Sequence, residues 1–247
     1  MVGPAAAVTV SSTDTPDEVR AGERITAEFT LEELYQNPQT GEWTLNGTTE
    51  LEDATWTVTF FDQQGTQVAT RDVGGQNVSV PGVNPDNVAE VRVQVTGTVP
   101  EPDSYSYPEN ETFLVAELEQ VRQGGTLNTI DSWEAVHFTE ESREARQAIA
   151  AAGDAIEAAE AAGASVESEQ DLLESAKSVY RDGNFEEAVN LAEQARNQAE
   201  SARKQAESAQ SRNQLLLYGG VGVVALLVLA GGLYWYRSTR QTHDKLG

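Results

Sequence analysis

The sequence predicts an antiparallel β-sandwich over residues 8–138, an alanine-rich antiparallel helical stalk over 139–214, and one transmembrane helix over 215–236. Three observations carry this reading. As far as about Thr139, short runs of alternating apolar and polar residues are broken by Gly, Pro, Asn and Asp, the signature of strands and turns. After His137 the apolar period lengthens from two residues to about 3.6, and alanine takes over. From Leu215 to Tyr236 the sequence has 22 residues without a charge, and a helix needs about 20 to cross the hydrocarbon core.

Strands are expected at Ala7–Ser11, Ile25–Leu34, Trp43–Leu45, Ala54–Phe61, Gln67–Asp72, Asn77–Val80, Ala89–Thr98 and Thr112–Val121. The clearest hairpin is WTVTFFDQQGTQVATRDV, in which Trp56, Val58 and Phe60 share one face and Asp62–Gly65 turns the chain. Seven or eight strands in about 130 residues suit a two-sheet sandwich that buries its own core. The opening TPDEVRAGERITAEF has the form P-x-x-V-x-x-G-E-x-I-x-x-x-F, through Pro16, Val19, Gly22, Glu23, Ile25 and Phe29. It resembles the first hairpin of immunoglobulin-like (Ig-like) domains of prokaryotic surface proteins, and the resemblance implies a binding or adhesion module.

Thr139 followed by Glu140, Glu141 and Glu144 reads as a helix start, with acids near the positive end of the helix dipole. A first helix is expected to about Ala162, where Gly163 breaks it. A second runs from Glu167 to Arg181, and Asp182–Asn184 makes a tight turn. Between Phe185 and Tyr218 there is neither Gly nor Pro, so the third helix can run on into the apolar span. Its 30 residues from Phe185 to Gln214 would measure about 45 Å at 1.5 Å per residue. Within it Ala188, Ala192, Ala195, Ala199, Ala202, Ala206 and Ala209 alternate spacings of four and three, an a/d seam that binds well only if backbones approach closely. Ala145, Ile149, Ala152, Ile156 and Ala159 repeat the pattern in the first helix. A plug of larger residues, Leu172, Leu173, Val179, Tyr180, Phe185, Val189 and Leu191, is expected at the turn end. The turn AKSVYRDGNFEEAVNLAEQA is similar to a tetratricopeptide motif through Leu172, Ala176, Gly183, Phe185, Ala188, Ala192 and Ala195. The resemblance implies a hairpin packed like that family's; a superhelical groove needs about three stacked copies, and only one is present.

Composition narrows function. The chain has 40 Asp and Glu against 16 Lys and Arg, a formal net charge of −24, and no cysteine. Only three basic residues are lysines, Lys177, Lys204 and Lys245. An acidic, arginine-preferring composition of this kind resembles that of haloarchaeal proteins, in which a dense negative surface keeps proteins soluble in concentrated salt. Nucleic acid is not expected as a partner: phosphate binding needs clustered bases, and the 138 residues before the helical region hold five, Arg20, Arg24, Arg71, Arg92 and Arg122.

An enzyme is not expected. The two histidines, His137 and His243, stand far apart in sequence, which supports neither a zinc site nor a nucleophilic triad. Glu32 with Glu33, and Glu50 with Glu52 and Asp53, have the residue types of glycosidase carboxylates, but in so acidic a chain they read as solvated faces. No cofactor is expected. The loops NPDN from Asn84 and PEPDSYSYPEN from Pro100 offer oxygens of the kind Ca²⁺ takes, without EF-hand spacing. The second loop places Tyr105 and Tyr107 between acids, the best candidate contact surface for a protein or surface-glycan partner; the competing reading is that these tyrosines cap the sandwich core.

The positive-inside rule nearly ties, with Arg196, Arg203, Lys204 and Arg212 before the span and Arg237, Arg240 and Lys245 in the short basic tail, 237–247. Ala5 and Ala7 form an A-x-A pattern, so residues 1–7 read as the end of a signal peptide. Three glycosylation acceptor patterns begin at Asn46, Asn77 and Asn110, all in the sandwich. Together they predict a single-pass cell-membrane protein with its N-terminal domains outside. The alternative is an accessory subunit of a membrane complex, tail-anchored in one variant, that contacts its partner through stalk and span.

Overall fold

A computed structural model describes residues 8–35, 41–122 and 124–209. The expected signal remnant 1–7, the expected span 215–236, the tail with His243, and the last five residues of the expected stalk lie outside the described residues. Among the described residues no helix is long and apolar enough to cross a membrane.

Ten strands and three helices follow in chain order: β1 (Thr9–Asp14), β2 (Glu18–Arg20), β3 (Arg24–Glu32), β4 (Trp43–Thr48), β5 (Glu52–Phe61), β6 (Gln67–Gly74), β7 (Asn77–Val83), β8 (Glu90–Thr98), β9 (Thr112–Arg122), β10 (Leu127–Phe138), α1 (Glu140–Ala161), α2 (Glu167–Arg181) and α3 (185–209). The strands make two five-stranded sheets, β1-β3-β8-β5-β6 and β2-β10-β9-β4-β7. Pairing is antiparallel apart from the short β2–β10 contact. The chain is thus a mostly antiparallel β domain followed by three helices. Two strands come in addition to those expected. β2 has only three residues. β10 has twelve, but two register shifts against β9, at Thr129/Asp131 and Trp133/Glu134, interrupt the alternation that sequence reading relies on.

Strict alternation elsewhere fills a single core between the sheets. On β5 the residues Ala54, Trp56, Val58 and Phe60 point inward, and on β8 Val91, Val93 and Val95 do so beside them. Sheet two contributes Trp43, Leu45, Val80, Phe113 and Leu118. Gly47 is required by packing: a Cβ there would lie 2.9 Å from the Trp56 ring. The β5–β6 hairpin closes as expected, Asp62 Oδ1 accepting the Gln64 and Thr66 amides while Gly65 takes a φ of 76°.

α1 starts at a reciprocal cap, with Ser142 in the place usually held by Glu. The Ser142 amide donates to Thr139 Oγ1, and the Thr139 amide donates to Ser142 Oγ. It ends where Gly163, φ 82°, lets the Gly163 and Ala164 amides bond the Glu160 and Ala159 carbonyls. Gly183 repeats this device after α2.

The described chain divides into two compact units. One runs through Arg146 and takes in Lys177–Glu187; the other comprises Gln147–Ala176 and the residues from Ala188. The stalk seam is covered over only part of its length: Ala188, Ala192, Ala195 and Ala199 are fully buried, Ala202 and Ala206 are half-buried, and Ala209 is exposed. Of the expected plug, Tyr180 alone is fully buried, and the other six residues are half-buried.

Candidate functional site

The first unit includes the loop between β8 and β9, which holds both candidate tyrosines. Tyr105 and Tyr107 are half-buried. The Tyr105 ring lies edge-on to Phe185 at 4.7 Å and to Tyr180 at 5.9 Å, and Tyr107 is likewise edge-on to Tyr180 at 6.3 Å. At the centre is Arg146, from the second turn of α1. Its Nη2 donates to the Ser106 and Glu109 carbonyls at 2.9 Å, to the Tyr180 hydroxyl at 3.1 Å and to Glu111 Oε2 at 3.1 Å, and its Nη1 donates to the Pro108 carbonyl. The guanidinium also stands 5.4 Å from the Tyr107 ring centre and 5.2 Å from that of Tyr180. Glu111 completes the set by accepting the Ser106 amide through Oε1.

Arg146 thus satisfies three loop carbonyls that would otherwise need water, and Arg181 Nη2 donates to a fourth, that of Tyr107, at 3.3 Å. Burial raises the phenols of Tyr105 and Tyr180 above their ordinary value; at Tyr180 the neighbouring Arg146 charge pulls the other way. Both stay neutral hydrogen-bonding groups in any physiological solution. Arg146 escaped the sequence reading because it sits beside the apolar stripe of α1 among acids, where it reads as a solvated charge. A basic residue two turns into a helix that opens on glutamates was the only available signal.

Beside the loop is a cleft of about 770 Å³, lined by Glu50, Glu52, Glu101, Asp103, Glu111 and His137 among others. Glu50 accepts the Leu114 amide at 2.6 Å, and His137 Nδ1 lies 2.9 Å from the Pro100 carbonyl oxygen. Both groups are therefore used to join strands and loops. Glu33 does the same for β1, accepting the Thr9 hydroxyl. Among the described residues no group of three or more His, Asp or Glu side chains is placed to hold a metal ion. In the NPDN loop Asn84 Oδ1 accepts the Asp86 amide, which makes an ordinary Asx turn.

The three acceptor asparagines fall in two places. Asn46 on β4 and Asn77 on β7 occupy adjacent strands of sheet two and point away from the core, Thr48 bridging from β4 to Asn77 Oδ1. Asn110 is exposed in the tyrosine loop. The solvent face of sheet one has none. It carries Thr30, Thr57 and Thr59 with Glu28, Gln94 and Arg92 around a shallow groove, and Arg92 lies over Phe61 at 4.5 Å.

No family model matches the chain, and no curated protein matches it. Among solved structures it is similar to the sporulation control protein Spo0M of Bacillus subtilis, with 14% identity and a TM-score of 0.33 over 59% of this chain and 56% of that one. The major pilin subunit of Bacillus cereus matches with 11% identity and a TM-score of 0.33, over 54% of this chain and 39% of the pilin. A cohesin module from a Clostridium perfringens family 33 glycoside hydrolase matches over its full length and 55% of this chain, with 13% identity and a TM-score of 0.29. Likeness at this level carries nothing about activity or partners.

Proposed function

We propose that the chain is a single-pass surface protein in which an Ig-like sandwich, carried on a helical stalk, binds a protein or glycan outside the cell. The observation that carries the reading is the 22-residue uncharged run Leu215–Tyr236, which follows α3 with no helix-breaking residue between. Its support on the β domain is the position of Asn46 and Asn77 on one outward face, on adjacent strands. Sugars attached there would shield sheet two and leave the threonine face of sheet one for a partner. Protease added to intact cells then removes the sandwich and leaves a small membrane-bound fragment. Digestion only after lysis places the bulk of the chain in the cytoplasm and ends the proposal.

A second reading, an accessory subunit of a membrane complex, draws on the incompletely covered seam, half-buried at Ala202 and Ala206 and exposed at Ala209. It requires that a membrane partner co-purify with the full chain and be lost when the span is exchanged for another apolar helix. Retention of the partner by a span-exchanged chain rejects it.

A further inference from the structure

The cleft beside the tyrosine loop is lined by residues of the first unit alone. Its volume of about 770 Å³ lies within the range of small-molecule sites, about 300–1,000 Å³. Two features of its lining are not used by the fold.

The first is charge. Glu52, Glu101 and Asp103 line the cleft from exposed positions and make no hydrogen bond or ion pair among the described residues. Glu111 differs, because Arg146 neutralises it at 3.1 Å. Among the described residues no lysine or arginine lines the cleft, whereas Glu90 and Glu140 elsewhere each have an arginine.

The second is His137, and it carries more weight, since acids are common in a chain of net charge −24. His137 is 6% exposed, and its ring lies 5.2 Å from that of Phe113. Its Nδ1 stands 2.9 Å from the Pro100 carbonyl oxygen. A carbonyl only accepts, so Nδ1 carries the proton and Nε2 of the neutral ring presents a lone pair. Among the described residues nothing donates to Nε2, yet it is not sealed from solvent. The open space beside His137 is the cleft.

These features select an occupant. Among the described residues the acids are not placed to share one metal ion, so charge spread over several groups suits them better than a point charge. The Nε2 lone pair calls for an N–H donor, which a protonated amine has and a quaternary ammonium lacks. Val99, Pro100, Pro102 and Phe113 give the lining an apolar stretch on which methylene groups can pack. Ammonium groups joined by short methylene runs meet all three conditions.

We propose that this cleft binds a linear aliphatic polyamine, His137 Nε2 accepting from one ammonium group while Glu52, Glu101 and Asp103 pair with the others. The site is independent of the surface-binding reading: its failure leaves the protease result on intact cells untouched.

The test is calorimetric titration of the detergent-purified full chain with spermidine at fixed ionic strength. Binding should saturate at one spermidine per chain. Glu52→Gln and Glu101→Gln, isosteric changes at exposed positions, should each raise Kd about threefold and together about tenfold. Glu117→Gln with Glu119→Gln removes the same charge from the outward face of sheet two and should leave Kd unchanged. Hexamethylenediamine should bind about tenfold more tightly than hexamethonium, which has the same chain and charge but no N–H to offer Nε2. The His137 imidazole signals, assigned by their loss in His137→Asn, should shift in proton spectra as spermidine is added. Absence of saturable binding overturns the site. Equal weakening by the two double variants also overturns it, as diffuse attraction to an acidic surface. So does equal binding of the diamine and hexamethonium, because the lone pair that sets this cleft apart would then have no effect.

Discussion

The sandwich and the stalk solve the same packing problem with opposite materials. In the sandwich the largest fully buried side chains include Trp43, Trp56, Phe29, Phe60, Phe113 and Leu31, and Gly47 makes room for Trp56. In the helical region the fully buried positions of α3 are alanines, and those of α1 are alanines with Ile149 and, at its capped start, Ser142. Large side chains bury more apolar area, so the sandwich draws its stability from area removed from water. An alanine buries little; it contributes by letting helices approach until backbone atoms touch. The two regions should therefore fail under opposite substitutions: the sandwich when a side chain is removed, the stalk when one is added.

The largest effect belongs to the sandwich. Trp56→Ala should cost about 3–5 kcal/mol through lost transfer energy and the cavity left behind. Denaturant unfolding followed by tryptophan fluorescence measures it, with Trp43, Trp133 and Trp235 left in the chain. An effect below about 1 kcal/mol would mean that the core collapses into the gap, and the contrast with the stalk would lose its basis.

Next comes the Arg146 hub. Arg146→Met should cost about 3 kcal/mol, because it leaves the poorly exposed Glu111 carboxylate without its cation and three loop carbonyls without their donor. Tyr180→Phe, which deletes one hydroxyl and keeps the ring packing, should cost only about 1 kcal/mol. If the two variants melt alike, the tyrosines rather than the cation hold the loop. Tyr105 and Tyr107 would then regain their standing as anchors in their own right.

On the stalk, Ala195→Leu should cost about 1–3 kcal/mol by forcing the backbones apart. At Ala202, half-buried, the same change should cost less, and at the exposed Gln194 it should stay within about 0.5 kcal/mol because leucine is a good helix former. Helical circular dichroism during melting reads all three. Equal destabilisation at positions 195 and 202 would show that something covers the outer half of the seam as tightly as the inner half.

The smallest effect is alkaline. Burial raises the phenols of Tyr105 and Tyr180, so the unfolded chain loses these protons first. Their contribution is complete below the unfolded value of about 10 and is lost as pH rises through the folded values. Stability should hold between pH 7 and 9 and decline above 10, and Tyr180→Phe should soften that decline.

Much of this was legible from residue order alone. β5 and its hairpin, the helix bounds at Glu167 and Arg181, and the turns at Gly163 and Gly183 were readable because each depends on neighbours within a few residues: alternation, a turn residue, a glycine at positive φ. β10 was not, since its bulges become regular only against β9. The acceptor asparagines were visible as patterns, but that Asn46 and Asn77 share a face follows from the β4–β7 register. Tyr105 and Tyr107 were visible as aromatics between acids, while their partners Arg146, Tyr180 and Phe185 lie more than 35 residues away along the chain.

What the sequence determined by itself was the class of the described segments, strands to Phe138 and helices after it, because side-chain period and turn chemistry are local. What only the tertiary structure decided was which side chains meet: that Arg146 gathers the tyrosine loop, with Arg181 reaching the Tyr107 carbonyl, that the alanine seam is fully buried to Ala199 and only half-buried at Ala202 and Ala206, and that Trp43, Gln120 and Arg122 share one end of the core. Those meetings depend on strand register and helix length, set by the whole core at once, and no window of neighbouring residues contains them.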